Sequence, residues 1–305
     1  MENRLIYVDG KIVPWAKATV HIMSHSFARG SGIFEVLSLH KIKNGRAVFR
    51  LDEYLSRLAS SADFLSMKLP VSNEKMTEAI YETVKANDIY EGVIKITAYY
   101  PQIAIDILPP YGSSLSVSVV VFRQGDIAGS VPASFEEGIS LCSSRWSKLD
   151  PRSVPVEAKV AANYLNGMMG AFEARDRGFD RAIMFDVNGF VAESSTSSIF
   201  MIKKGELLTP ETGAILKSIS RKSIIEIANA YDIPVKETKI TYDNLIKADE
   251  IFMTSTTGRV IPVVKFENVH LPGCNGPISE KLHNCMERIQ KGDDDRFAHW
   301  LFEVK

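Results

Sequence analysis

The chain has 305 residues, 45% of them hydrophobic and 24% charged, an ordinary globular composition with room for two domains at about 150 residues each. Lys plus Arg total 36 against 37 Asp plus Glu, a net charge of -1 that offers no attracting field to nucleic acid or to an anionic membrane. The longest strongly apolar run, residues 117–122 with Ser118 inside it, is far below the roughly 20 residues of a membrane span, residues 1–4 lead into no signal-like stretch, and Cys142, Cys274 and Cys285 lack disulfide or zinc spacing, so the reducing cytoplasm is the expected compartment.

In chain order, residues 5–8 read as a strand, Asp9-Gly10 as a turn and residues 32–39 as a further strand of an opening meander. Asp52 is expected to cap a helix whose Leu55, Leu58, Ala62 and Leu65 recur at three- and four-residue spacing, and Met76, Ile80 and Val84 mark a second helix. Strands over 93–99 and 115–122 complete a small N-terminal domain, 1–122. The polar, glycine-containing stretch 123–132 reads as an interdomain linker, and 133–305 as a larger C-terminal domain that would bind the cofactor. There a strand is expected at 139–142, and a helix over 163–177 carries Leu165, Met168, Met169 and Phe172 on one face, read as core, with Gly178 ending it. Val187-Asn188-Gly189 reads as a hairpin turn between 181–186 and 190–193, and 198–202 is expected to continue this antiparallel run. Ser218 or Ser220 caps a helix containing Ile224, Ile225 and Ile227. A strand at 251–253 enters the hydroxyl-rich Thr254-Ser255-Thr256-Thr257-Gly258 before another at 260–264, Pro277 opens a last helix that reaches Lys291, and Asp293-Asp294-Asp295 reads as a solvated turn. Both halves mix strands and helices, an α+β organisation.

Most chemical motifs are absent. His21 and His25 are four apart, but no acidic third ligand stands near and their flanks read as extended, so no metal is expected. No G-x-S-x-G elbow, Walker loop or G-x-G-x-x-G is present, and Gly30-Ser31-Gly32 precedes a strand rather than a helix. Hydrolase and nucleotide-binding readings therefore lack support. Lys159 sits among small apolar residues at the head of a helix, where a partly desolvated amine has a lowered pKa and can form a Schiff base. A snorkelling lysine is the commoner meaning of such a position taken alone.

Five separated blocks give Lys159 its meaning, and together they resemble the fold-type IV, or class IV, aminotransferases that use pyridoxal 5'-phosphate. Arg29-Gly30-Ser31-Gly32-Ile33-Phe34-Glu35 resembles the family's Tyr-Gly-x-x-Val-Phe-Glu, and residues 51–58, ending in Arg57-Leu58, resemble its His-x-x-Arg-Leu helix. Residues 157–166 resemble the cofactor-lysine block, 190–200 the glutamate block and 249–263 the threonine-containing phosphate loop. The resemblance implies two mixed α/β domains of the D-amino-acid aminotransferase-like type. It also implies that Lys159 attaches the cofactor and then moves protons as general acid and base, that Glu193 faces the ring nitrogen, and that Tyr164 bonds the phenolate oxygen. For the phosphate it implies the fork of Arg57, the backbone N–H groups of Ile219 and Ser220, and donors from Thr256 and Thr257.

On the substrate side the chain departs from its relatives' patterns. Arg29 replaces an aromatic hydroxyl, Val36-Leu37-Ser38 replaces the Gly-Ile-Arg of branched-chain enzymes, and Val93-Ile94-Lys95-Ile96 replaces their Tyr-Ile-Arg-Pro. Ala98 stands where the D-amino-acid enzymes have a carboxylate-binding arginine. The substrate-binding set expected here is Arg29, Phe34, Val36, Lys95 and Gly258, with Arg29 as the carboxylate ligand because its fork matches a carboxylate and Lys95 as a solvated side chain. The implied activity is ping-pong transfer of an amino group from a branched-chain or other hydrophobic amino acid to a 2-oxo acid, in a homodimer. The alternatives are a D-amino-acid or (R)-amine transaminase and an aminodeoxychorismate-type lyase.

Overall fold

The computed structural model describes residues 1–126, 133–256 and 259–305, so residues 127–132 of the expected linker, with Thr257 and Gly258, lie outside the described residues. The chain divides into two compact units. One holds the N-terminal residues with Ala158–Ala162 and Gln290–Lys305, and the other holds the remainder, Asn163–Ile289 included. The single boundary expected at 123–132 is thus too simple, because two later segments return to the first unit.

The first unit is built on β1 (Leu5–Val8), β2 (Lys11–Pro14), β3 (Ile33–Ile42), β4 (Gly45–Phe49), β5 (Gly92–Tyr99) and β6 (Ser116–Phe122), with helices α1 (His25–Arg29), α2 (Leu51–Phe64) and α3 (Asn73–Ala86). The C-terminal strand Leu301–Glu303 joins β4, giving an antiparallel sheet in the order C-terminal strand, β4, β3, β5, β6, β1, β2. Period-two alternation explains its two faces. Ile33, Leu37 and Leu39 of β3, with Ile94 and Ile96 of β5, are buried on the face covered by α2 and α3, whereas Phe34 and Val36 pair with Thr97 and Lys95 on the other. Glu35 shares the buried parity of Ile33 and Leu37 and is fully buried. Helix α2 begins one residue before the expected Asp52 cap. Its N-cap is Arg50, held in the left-handed region by tertiary contacts: its N–H donates to the Trp300 carbonyl and its guanidinium lies 4.2 Å from the Trp300 ring centroid. The residues around His25, read as extended, form α1, and His25 is buried with Nδ1 on Ser31 Oγ and Nε2 on the Ile107 carbonyl.

The second unit contains β7 (Ile139–Ser143), α4 (Tyr164–Asp176), β8 (Arg181–Phe185), β9 (Val191–Ser194), β10 (Ser198–Lys203), β11 (Glu206–Pro210), α5 (Ile219–Ala230), β12 (Val235–Thr238), α6 (Tyr242–Ile246), β13 (Glu250–Ser255), β14 (Arg259–Phe266), β15 (Val269–His270) and α7 (Pro277–Lys291). Its sheet runs β12, β11, β10, β13, β14, β7, β8, β9, with β15 beside β14. The antiparallel run expected through residue 202 stops at β9, an edge strand beside β8, while β10 pairs with β11 and β13. Beside it, β7 runs parallel to β8 and β11 to β12, because α4 and α5 are the crossovers that parallel neighbours require.

The apolar stripe on α4 reverses the sequence expectation. Leu165, Met168 and Phe172 are exposed, and the helix buries Gly167, Gly170 and Ala174 instead. A Cβ on Gly167 would stand 2.7 Å from the Ser195 carbonyl oxygen and one on Gly170 3.5 Å from Met184 Sδ. The helix axis approaches the sheet so closely that only the small residues fit between them.

Candidate active site

Lys159 belongs to the first unit, and its position follows from an incomplete strand pairing. β4 covers β3 only from Leu39 onward, which leaves the N-terminal half of that edge open. Residues 158–162 occupy it: the Phe34 N–H donates to the Lys159 carbonyl (3.1 Å), the Ala161 N–H to Gly32 (2.8 Å) and the Ala162 N–H to Gly30 (3.2 Å). From α2, Ser61 Oγ accepts the Lys159 N–H at 2.9 Å. Val160 bridges to Ile33 on the buried face, so strand parity turns Lys159 to the opposite face, where its Nζ lies 5.4 Å from the Phe34 ring centroid. Lys95 Nζ lies 5.3 Å from the same ring. The structure thus gathers Lys159, Phe34 and Lys95 around one aromatic ring, with Val36 paired to Lys95 on the neighbouring rung. Lys95 is exposed, as expected of a solvated side chain, and is also one of two cations beside this ring.

Arg57 is buried on α2, and its Nε–Nη2 edge is occupied. Nε donates to Glu35 Oε1 at 2.7 Å and Nη2 to Glu35 Oε2 at 2.6 Å, with the guanidinium also 5.3 Å from the Tyr54 ring centroid. The fork expected to grip a phosphate therefore grips a buried carboxylate of its own chain. Arg29, at the end of α1, donates through Nε to the Asp106 carbonyl (3.2 Å) and through Nη2 to the Ile105 carbonyl. Those two bonds, with that of His25 to Ile107, tie the loop after β5 to α1.

In the second unit Glu193 is buried in β9 and forms an ion pair with Lys148, Nζ to Oε1 2.9 Å. Tyr164 is the first residue of α4. Ser218, one of the two expected caps, is the N-cap of α5: its hydroxyl accepts the Arg221 N–H, and Ile219 and Ser220 supply the first two N–H groups, which have no acceptor inside the helix. Thr256 follows β13, against which α5 packs. The sequence reading gave no role to Glu35 or Lys148. Glu35 was detectable, since an acidic residue at a core-parity position of a strand requires a buried cation. Lys148 leaves no local pattern that joins it to Glu193, 45 residues onward.

The sequence profile of the class IV amino-transferases matches residues 32–266, and the chain belongs to that family. Its relatives include the branched-chain-amino-acid aminotransferase of Escherichia coli K12, 30% identical over 98% of this chain and 97% of that protein, and that of Pseudomonas aeruginosa, 31% identical over 99% and 97%. Among solved structures, the branched-chain aminotransferase of Thermoproteus uzoniensis with norvaline superposes with a TM-score of 0.92 at 31% identity, covering 99% of both chains. The branched-chain amino acid aminotransferase of Thermobaculum terrenum, in its pyridoxal-phosphate holo form, gives 0.91 at 26% identity over the whole of both.

Proposed function

We propose that the chain is a pyridoxal 5'-phosphate-dependent aminotransferase that moves the amino group of a branched-chain or other hydrophobic amino acid to a 2-oxo acid by a ping-pong cycle. The observation that carries the reading is Lys159, a lysine fixed by backbone bonds along the edge of β3 in a chain that matches branched-chain aminotransferases from end to end. The donor set fits the cofactor: an amine for its aldehyde, a buried carboxylate in Glu193 for its ring nitrogen, and the N-terminus of α5 for its phosphate. The buried hydroxyls of Ser194, on β9, and Ser198, on β10, have no hydrogen-bond partner among the described residues.

When bound, pyridoxal phosphate supplies the electron sink that makes the substrate Cα–H bond labile. Lys159 would hold the cofactor through its amine and, when free, would take up and return the substrate Cα proton. Glu193 would keep the ring nitrogen protonated, Tyr164 would donate to the phenolate oxygen, and the Ile219 and Ser220 amides with Thr256 and Thr257 would hold the phosphate, to which Arg57, its Nε–Nη2 edge taken by Glu35, would add its charge. Phe34 and Val36 would supply apolar surface for a hydrophobic substrate side chain, and Lys95 a charge for an acidic one. Arg29, already committed to loop carbonyls, acts on substrate through that loop. The loop leaves Ile103, Ile105, Ile107, Leu108 and Tyr111 exposed, which supports a homodimer in which a second copy covers them. Among the described residues no helix is long and apolar enough to cross a membrane, in keeping with a cytoplasmic enzyme.

Borohydride reduction of the cofactor-loaded protein should label Lys159, and Lys159→Ala should abolish that label. Leucine added alone should convert bound cofactor to pyridoxamine phosphate. A label on another lysine overturns the assignment, and release of pyruvate from aminodeoxychorismate without the pyridoxamine form would select the lyase.

A further inference from the structure

We propose that Lys148 is a positioning residue for Glu193, holding its carboxylate in the orientation that meets the cofactor's ring nitrogen. The proposal rests on the aminotransferase reading above. Lys148 lies beyond β7, on a segment whose backbone is held from two sides: its own N–H donates to the Phe185 carbonyl of β8 at 2.7 Å, and the preceding carbonyl, of Ser147, accepts from Asn166 Nδ2 of α4 at 3.0 Å. Glu193 stands on β9, the other arm of the β8–β9 hairpin, in which Ile183 pairs with Ser194 and Phe185 with Val191. A cation anchored on one side of β8 thus reaches a carboxylate on the other side.

The side chains are 11% and 10% exposed, and the ion pair engages Oε1. A carboxylate on a rotatable side chain samples several orientations. One oxygen committed to a cation of fixed backbone restricts it to those that leave Oε2 to face a ring N–H. Such a pair also keeps a buried carboxylate compensated before the cofactor arrives, and an uncompensated one would be expensive to hold there. A purely structural reading is that Lys148 only fastens residues 144–150 to the sheet. The two readings separate in a double-mutant cycle, because a residue that acts through Glu193 has nothing to position once Glu193 is changed.

The experiment uses apoprotein titrated with pyridoxal phosphate, together with the rate of the leucine half-reaction on the reloaded protein. Lys148→Met is expected to weaken cofactor binding and slow the half-reaction by about tenfold each, the scale of one lost charge-assisted contact. Lys148→Arg should recover both to within about threefold, and in a Glu193→Gln background Lys148→Met should add less than about twofold to either. Equal fold-losses in the two backgrounds would overturn the proposal, as would borohydride labelling of Lys148 itself. If Lys148→Met does not fold, Lys148→Gln carries the same comparison. Absence of pyridoxal phosphate uptake by the wild-type apoprotein would overturn the aminotransferase reading, and this proposal with it, whereas normal uptake with an additive cycle would overturn the proposal alone.

Discussion

The Glu35–Arg57 pair gives the sharpest stability prediction. Glu35 is fully buried and Arg57 9% exposed, joined by two bonds of 2.7 and 2.6 Å. Glu35→Gln keeps the shape but removes the charge, and the Gln amide can offer its NH2 only to another donor. Arg57 is then a buried cation without its counter-charge, a condition that costs about 3–5 kcal/mol when one partner of a buried pair is removed. Replacing both residues by apolar side chains, Glu35→Met with Arg57→Leu, removes the uncompensated charge and should recover most of that loss, since buried pairs are often neutral against hydrophobic substitutes. The assay is urea unfolding of the apoprotein by tryptophan fluorescence in a Trp146→Phe background, because Trp15 and Trp300 both belong to the first unit. A two-unit chain need not unfold in one step, so the comparison is of that unit's own transition. A Glu35→Gln protein within about 1 kcal/mol of wild type, or a double variant no more stable than the single one, would refute the reasoning.

Two further predictions concern the loop after β5 and the last helix. Arg29→Ala removes two of the three bonds that tie the 103–111 loop to α1 and should speed chymotryptic cleavage at Leu108 or Tyr111 by at least about tenfold, the scale of a single hydrogen bond from a charged donor, and an unchanged rate would put the loop's anchor at His25. His283 stacks on Phe135 with ring centroids 4.1 Å apart, and burial is the main cause that lowers its pKa from 6.5, with Arg259 acting in the same direction and Glu287, Glu136 and a bond to the Val260 backbone opposing them. A histidine whose folded pKa is depressed contributes stability that is present above the unfolded pKa and lost as pH falls through the folded one. His283→Phe should therefore flatten the fall in melting temperature below pH 6.5, and an unaltered fall would exclude His283 as its source.

How much was legible in the sequence differs between backbone and side chains. Strands and helices with strong local periodicity, such as residues 5–8 and the helix bearing Met76, Ile80 and Val84, are found where their patterns put them, as β1 and α3. The α4 stripe failed because periodicity identifies a face without saying which way it points. Leu165, Met168 and Phe172 form the larger apolar surface, but close packing of the helix axis against Ser195 selected the glycine face. The parallel pairings were equally invisible, since each depends on the path of a crossover rather than on the composition of the strands it joins.

The cofactor block is the part a sequence carries best, because attachment at a lysine and recognition of a phosphate by backbone amides constrain residues close together along the chain. The partners that tune those residues obey no such limit. Glu35 reaches Arg57 across 22 positions through the packing of α2 on β3, and Lys148 reaches Glu193 across 45 through the β8–β9 pairing, which the local pattern does not encode. Both pairs share one physical logic: a charged group kept out of water is stable only if its counter-charge is fixed beside it before the ligand arrives. A motif names the group expected to touch the cofactor, and the burial of that group then requires a second residue somewhere in the fold. For Arg57 that requirement could be traced in advance to an acidic residue of inward strand parity. For Glu193 no parity argument reaches Lys148, because Lys148 lies outside any regular element and is placed against β8 by the bonds of the Ser144 and Lys148 N–H groups to the Ile183 and Phe185 carbonyls.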